Sequence, residues 1–229
     1  MKLRIAETFE SIQGEGFWTG RRSIFVRISG CNLRCIWCDT PYASWEPEGP
    51  LRSVPGILAE LLASPIMDVV VTGGEPMLFE GVEPLCAGLR EGGKIITIET
   101  AGTVARTLSC DLMSISPKLR HSTPVGTSWE ARHEDRRLNL DVLRYLIASY
   151  DHQLKFVVNL EHEEPGIDEI TELLQALNAD PAKVILMPEG TDTETLHRRS
   201  KLLDPICKER GFTLGQRLHI DLFGNTRGT

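Results

Sequence analysis

The chain lacks an excess of positive charge: 25 lysines and arginines stand against 32 aspartates and glutamates, a formal net charge of −7 over 229 residues. A nucleic-acid clamp needs a basic face for the phosphates, so free RNA or DNA is not expected as a direct partner. Long apolar runs are missing too. Met1 to Glu10 is interrupted by Lys2, Arg4, Glu7 and Glu10, which does not match a secretory signal, and no stretch approaches a membrane-spanning length. The expected setting is therefore cytoplasmic, with no membrane partner, and reduced thiols suit it. Neither repeats nor a domain linker is found, and 229 residues of 41% hydrophobic composition are compatible with one α/β domain covering 1–229. A second pair of metal ligands is also absent. Cys86, Cys110 and Cys207 stand alone and the first histidine is His121, whereas a closed zinc site usually joins two Cys or His pairs. Scattered cysteines of this kind are ordinarily buried, inert thiols.

What is present is a tight group of three, Cys31, Cys35 and Cys38, in the spacing C-x3-C-x2-C, followed at once by Asp39 and Thr40. Three thiolates this close can hold three corners of an iron–sulfur cube. Such a cluster usually takes four cysteines, so three leave one iron open, by the logic that separates catalytic metal sites from closed ones. Spacing alone leaves zinc and free thiols as alternatives. The second signal is Thr72-Gly73-Gly74-Glu75-Pro76, directly after the apolar run Val69 to Val71. Two glycines let backbone approach a ligand closely, and the Glu75 carboxylate can accept hydrogen bonds from an ammonium group.

Apolar runs alternate with helix-like stretches along the chain. Strands are expected at Ile5 to Phe9, Ser23 to Ser29, Asp68 to Thr72, Lys94 to Glu99, Leu112 to Ser116, Gln153 to Asn159, Lys183 to Met187 and Arg217 to Leu222. Helices are expected at Ser53 to Leu62, Val82 to Glu91, Leu138 to Ser149, Ile167 to Leu177 and Thr193 to Arg210. Ser53 suits an N-cap with Pro55 in the first turn, and Gly92-Gly93 and Gly211 suit helix ends. The alternation predicts βαβ units and a mostly parallel sheet. The stretch from Pro117 to Arg137 exceeds an ordinary connection and reads as a mobile lid or, preferably, a disordered insert.

The cysteine spacing, with Trp37 just before Cys38, and the Gly-Gly-Glu-Pro turn together resemble the radical S-adenosylmethionine (SAM) superfamily. The resemblance implies an incomplete (β/α) barrel, a 4Fe-4S cluster on Cys31, Cys35 and Cys38, and SAM chelating the open iron. Reductive cleavage of SAM then gives a 5'-deoxyadenosyl radical that abstracts hydrogen; the cofactors carry the hard step and the protein orients them. Most of the chain is similar to one family within it, the 7-carboxy-7-deazaguanine synthases. That likeness rests on Gln13-Gly14-Glu15-Gly16, Arg27, Cys38-Asp39-Thr40, Thr72 to Pro76, Glu99-Thr100, Ser116-Pro117-Lys118, Leu154-Lys155 and Phe223-Gly224-Asn225.

The family resemblance implies a lyase that contracts 6-carboxy-5,6,7,8-tetrahydropterin to 7-carboxy-7-deazaguanine with loss of ammonia, in 7-deazapurine (queuosine-type) biosynthesis. It implies SAM contacts from Trp37, Cys38 and Asp39, from Gly73, Gly74 and Glu75, and from Glu99, Ser116, Pro117 and Lys118. Pro188 and Glu189 complete that set, although many members carry Gln-Pro-Met-Asp where this chain has Met187-Pro188-Glu189-Gly190. On the substrate side it implies Ile12, Gln13, Gly14, Glu15, Arg27, Thr72 and Thr229, with Thr40 on Mg2+. Arg27 lies in an apolar run where a buried guanidinium needs an anion, and a substrate carboxylate would supply one. Some members have a histidine near the tail where this chain presents Phe223, so stacking is expected there. A homodimer and an electron donor such as flavodoxin are also implied. Two other readings remain, a glycyl-radical enzyme activase and a non-catalytic iron–sulfur or zinc module. The Gln13 segment with Cys-Asp-Thr speaks against the first, and Gly73-Gly74-Glu75 against the second.

Overall fold

The computed structural model describes residues 1–163 and 165–229. The first half runs β1 (Lys2–Ile12), β2 (Arg22–Ile28), α1 (Pro41–Ser44), β3 (Leu51–Ser53), α2 (Val54–Ala63), β4 (Asp68–Gly73), α3 (Val82–Glu91), β5 (Ile95–Thr100) and β6 (Leu112–Ile115). The second runs α4 (Glu130–Arg137), α5 (Leu140–Ser149), β7 (His152–Val158), α6 (Ile167–Leu177), β8 (Val184–Pro188), α7 (Thr193–Arg210), β9 (Thr213–Leu214) and α8 (Leu218–Phe223). Among the described residues nine strands form one sheet, in the order β3-β1-β2-β4-β5-β6-β7-β8-β9. β1 is antiparallel to both neighbours, and every pairing from β2 to β9 is parallel. The sheet stays open, with β3 and β9 at its edges.

Its central strands are buried on both faces, as a parallel sheet covered by helices requires. Val69, Val70 and Val71 of β4, and Val184, Ile185 and Leu186 of β8, are all at most 1% exposed. The helix signals hold locally. Ser53 Oγ accepts from Gly56 N at 3.3 Å, closing the N-terminus of α2, and Gly211 ends α7 at φ 71°.

Two expectations are corrected. Arg217 to Leu222 is not a strand, because Leu218 to Phe223 forms α8. Leu218, Ile220 and Leu222 alternate as strand residues do, yet Leu222 is 54% exposed, and the Leu218 amide docks on Gly14 O at 3.0 Å. Nor is the stretch from Pro117 to Arg137 a disordered insert. It carries a 3-10 turn at Arg120–Ser122 and the helix α4, pinned by the buried Arg137, whose Nε bonds Glu134 at 2.8 Å and whose Nη1 bonds Lys118 O at 3.1 Å.

Candidate functional site

A cavity of about 830 Å3 opens at the C-terminal ends of the parallel strands, where ligands collect in such sheets. The cysteine loop leaves β2 through Gly30 (φ 119°) and forms one wall. All three thiols are free and face the cavity, over a small apolar floor of Leu33 and Ala101 with Trp37 beside it. Burial pushes the Cys31 thiol up to about 11 and that of Cys35 up to about 12. Both are therefore neutral until a cation displaces the proton, as metal binding to thiols requires. Among the described residues, no three Cys, His, Asp or Glu side chains close on a single ion. Three thiols spread over one wall fit the corners of a multi-iron cluster, in which each cysteine takes its own iron.

The glycine turn serves this wall in an unexpected way. A Cβ on Gly73, whose φ is 147°, would lie 1.9 Å from Ile28 O; one on Gly74 would lie 2.3 Å from Gly30 O and 2.9 Å from Cys31 Cβ. Both glycines thus let the end of β4 lie directly against the base of the cysteine loop, although both also line the cavity. Glu75 does not. It is fully buried beneath the wall, and its oxygens accept from Met77 N (3.0 Å), Thr100 Oγ1 (2.8 Å) and Ala101 N (2.7 Å). Burial raises its carboxyl pKa, against the pull of the Ala101 and Met77 amides. The carboxylate expected to meet an ammonium group is instead a brace joining β4 to β5. Pro117 is likewise buried and off the cavity wall.

The other expected residues do gather. Ile12, Gln13, Gly14, Glu15, Arg27 and Thr72 line the cavity, as do Trp37, Asp39, Thr40, Glu99, Ser116 and Lys118, and Pro188, Glu189 and Thr229 close its rim. Glu99 is a hub. It accepts from Thr72 Oγ1 at 2.8 Å and Gln13 Nε2 at 3.3 Å, and pairs with Lys155 Nζ at 3.6 Å. Lys118 Nζ donates to Ser116 O at 2.6 Å and lies 5.6 Å from the Trp37 ring centroid. Arg27 holds Glu7 through Nε at 2.6 Å, so its charge already has one partner.

Several lining residues were missed as site residues from the sequence, and three of them meet the Gln13 segment. Lys155, on β7, bonds Glu15 Oε2 at 2.9 Å, and Arg217 bonds Glu15 Oε1 at 3.0 Å, Gly190 O at 2.7 Å and Asp39 Oδ2. Burial alone would raise the Glu15 carboxyl; the charges of Lys155 and Arg217 overcome it and hold the group well below the usual carboxylate range. The third is His219 of α8, whose ring sits where a Gly14 Cβ would be, within 1.9 Å of Nδ1. Phe223 is 45% exposed and outside the cavity, so the expected stacking is not made and a histidine one turn earlier faces inward. Lys155 carried a usable signal, a lone charge in an apolar strand, the argument applied to Arg27. Arg217 and His219 carried none while their segment read as a strand.

The tail reaches the same cavity. Arg227 stacks over the Tyr42 ring at 3.9 Å and pairs with Glu7 at 3.2 Å and Glu48 at 3.0 Å, which brings the half-buried Thr229 to the rim.

The Radical SAM superfamily profile matches residues 25–118, from β2 through the cysteine loop to Lys118. Over 99% of its length the chain is 46% identical to the 7-carboxy-7-deazaguanine synthase of Rhodopirellula baltica, covering 89% of that protein, and 40% identical to that of Halobacterium salinarum, covering 93%. The chain belongs to the 7-carboxy-7-deazaguanine synthase family. The crystal structure of QueE from Escherichia coli superposes with a TM-score of 0.71 at 25% identity, over 96% of this chain and 95% of that one. An open, mostly parallel radical SAM sheet is thus the fold of this family member. Membership in a radical SAM family implies the 4Fe-4S cluster and SAM, and the three thiols on one wall are the donor set they require.

Proposed function

We propose that the chain converts 6-carboxy-5,6,7,8-tetrahydropterin to 7-carboxy-7-deazaguanine with loss of ammonia. The observation that carries this reading is the shared cavity: the three thiols line it together with Gln13, Glu15, Arg27 and Thr229. The cluster and SAM, when bound, supply one-electron radical chemistry; the chain binds, orients and shields. Gln13 and Thr72, tied together through Glu99, offer a polar edge to a flat heterocycle. Arg27 offers its terminal nitrogens to the substrate carboxylate while Nε stays on Glu7. The Gln13 segment, pinned at Glu15 by Lys155 and Arg217, helps to keep water from the ligand. The product assay with SAM and the pterin, after anaerobic reconstitution, decides the reading: 7-carboxy-7-deazaguanine in the mass spectrum supports it, and SAM cleavage without that product refutes it. A glycyl-radical activase is not favoured, since this cavity is lined for a small molecule.

Arg27→Ala weakens pterin binding and leaves cluster assembly and SAM binding intact. Losing a charge-assisted hydrogen bond costs about 1.5 to 3 kcal/mol, or roughly tenfold to a hundredfold in affinity. Glu7 keeps Tyr42 and Arg227 as partners, so the fold survives. Unchanged pterin affinity, measured by anaerobic titration, removes Arg27 from the site.

Magnesium belongs to the same reading. It takes few protein groups and keeps positions for water and substrate oxygens. Thr40 stands at the N-cap of α1 but makes no side-chain capping bond, and it lines the cavity beside Cys38. Thr40→Val keeps the approximate shape and removes the oxygen. The variant assembles its cluster with normal absorbance but loses magnesium stimulation of turnover; full stimulation would place the ion elsewhere. An electron donor of the flavodoxin class, a homodimer, a single radical SAM domain spanning 1–229 and a cytoplasmic setting complete the proposal. Among the described residues no helix is long and apolar enough to cross a membrane.

A further inference from the structure

Glu7 lies outside the cavity wall, yet three side chains that line the cavity close on it. Arg27 Nε and Tyr42 Oη reach its Oε1 at 2.6 and 2.8 Å, and Arg227 Nε reaches its Oε2 at 3.2 Å. They come from β2, from α1 and from the tail, 20, 35 and 220 residues away in the chain. An irregularity in β1 makes the meeting possible. Ile5 pairs with Ile28 and Glu7 with Arg27, so Ala6 is an extra residue between two successive pairings. In an unbroken ladder Glu7 would stand opposite Val26, whose side chain belongs to the core. The bulge reverses the alternation. Ile5 packs in the core, whereas Glu7 and Phe9 share the face of Arg27 and Phe25. Burial alone would raise the Glu7 carboxyl; the bonds from Arg27 and Tyr42 outweigh it and hold the group below its ordinary value.

Arginine offers an anion two flat edges, one that includes Nε and one made by the two terminal nitrogens. Glu7 occupies the first, and among the described residues neither terminal nitrogen of Arg27 donates a hydrogen bond. We propose that Glu7 is a positioning residue that fixes the plane of Arg27, so that the terminal pair is the edge that receives the substrate carboxylate. The proposal rests on the reading that Arg27 binds that carboxylate. Glu7 is itself held in place, because the Tyr42 hydroxyl shares Oε1 with Arg27 and the Arg227 guanidinium stacks on the Tyr42 ring at 3.9 Å. Without Glu7 the ligand must order the Arg27 side chain, a cost that falls on binding. A carboxylate that merely neutralised Arg27 would act in the opposite sense, since its removal would strengthen the pull on an anion.

The sign of one substitution therefore separates the roles. In the anaerobically reconstituted protein, Glu7→Ala should raise KM for the pterin about twofold to tenfold, the cost of ordering one long side chain, with kcat little changed and SAM affinity that of the parent. In the Arg27→Ala background, Glu7→Ala should add nothing, because the group it positions is gone. A tetrahydropterin lacking the 6-carboxyl group should bind the parent and Glu7→Ala alike. A lowered or unchanged KM in Glu7→Ala, an equal loss in the Arg27→Ala background, or weaker binding of the carboxyl-free pterin by Glu7→Ala overturns the proposal. A second measurement needs no variant. In crystals of the parent protein with SAM and the pterin, the substrate carboxylate should lie on the terminal nitrogens of Arg27 with Nε still on Glu7, and a carboxylate on Nε overturns the positioning role. Pterin affinity unchanged in Arg27→Ala would refute the reading beneath the proposal, whereas a loss there with none in Glu7→Ala refutes the proposal alone.

Discussion

Cys35→Ala loses iron, the cluster's visible absorbance and SAM cleavage together. Cys35 is the most buried of the three cavity thiols, 8% exposed, and packs on Leu33 and Ala101. Alanine fits that floor, so the fold survives while one corner of the donor set vanishes. Two remaining thiols cannot hold a cube that ordinarily needs four protein ligands and here has three. Iron analysis, absorbance and 5'-deoxyadenosine release, measured anaerobically on the same preparation, should all drop to background, while the melting temperature of the cluster-free protein changes little. Retained iron with full SAM cleavage would end the assignment of these cysteines.

Lys155→Met destabilises the protein by about 3 to 5 kcal/mol, the usual cost of removing one partner of a buried ion pair. Methionine fills the space but leaves Glu15 with Arg217 alone and Glu99 with neutral donors only. The pH dependence follows from the direction of each shift. Glu15 is depressed in the folded protein, burial being outweighed by Lys155 and Arg217, so its stabilisation is complete above the ordinary carboxylate range and disappears as pH falls through its lower folded value. Lys155 is raised, burial being outweighed by Glu15 and Glu99, so its stabilisation is complete below the ordinary lysine range and disappears as pH rises past it. Both are intact at neutral pH. In Lys155→Met the acid limb moves upward, because Glu15 loses the stronger of its two cationic partners. Urea unfolding at neutral pH and through the acid limb tests both parts; a variant as stable as the parent, with an unmoved acid limb, shows that the pair contributes nothing net.

The alternation of elements was legible because it is local. Val69 to Val71 reads as a buried strand wherever it sits, and Ser53 caps a helix with an atom three residues away from its partner amide. The segment Arg217 to Leu222 misled for the same reason: its apolar alternation fits a strand, and the contact that makes it helical, on Gly14, comes from the other end of the chain. Polar character suggested a loose insert at 117–137, yet Arg137 and His133 are buried there because distant backbone and carboxylate groups receive them.

By itself the sequence placed three thiols in one short loop and carried the resemblance to the family. Cys31, Cys35 and Cys38 must share one loop because they share eight residues of chain, and Gly73-Gly74 after the apolar run of Val69 to Val71 marks a place where backbone can approach closely. Only the tertiary structure decided which charges face the ligand. Glu75, which looked like a ligand group, is drawn beneath the wall by three internal donors, whereas Glu15 reaches the cavity on ion pairs with Lys155 and Arg217, 140 and 202 residues away. Partners that far apart leave no local pattern, because the free energy that selects them, mutual neutralisation of charges removed from water, exists only once the sheet has brought them together.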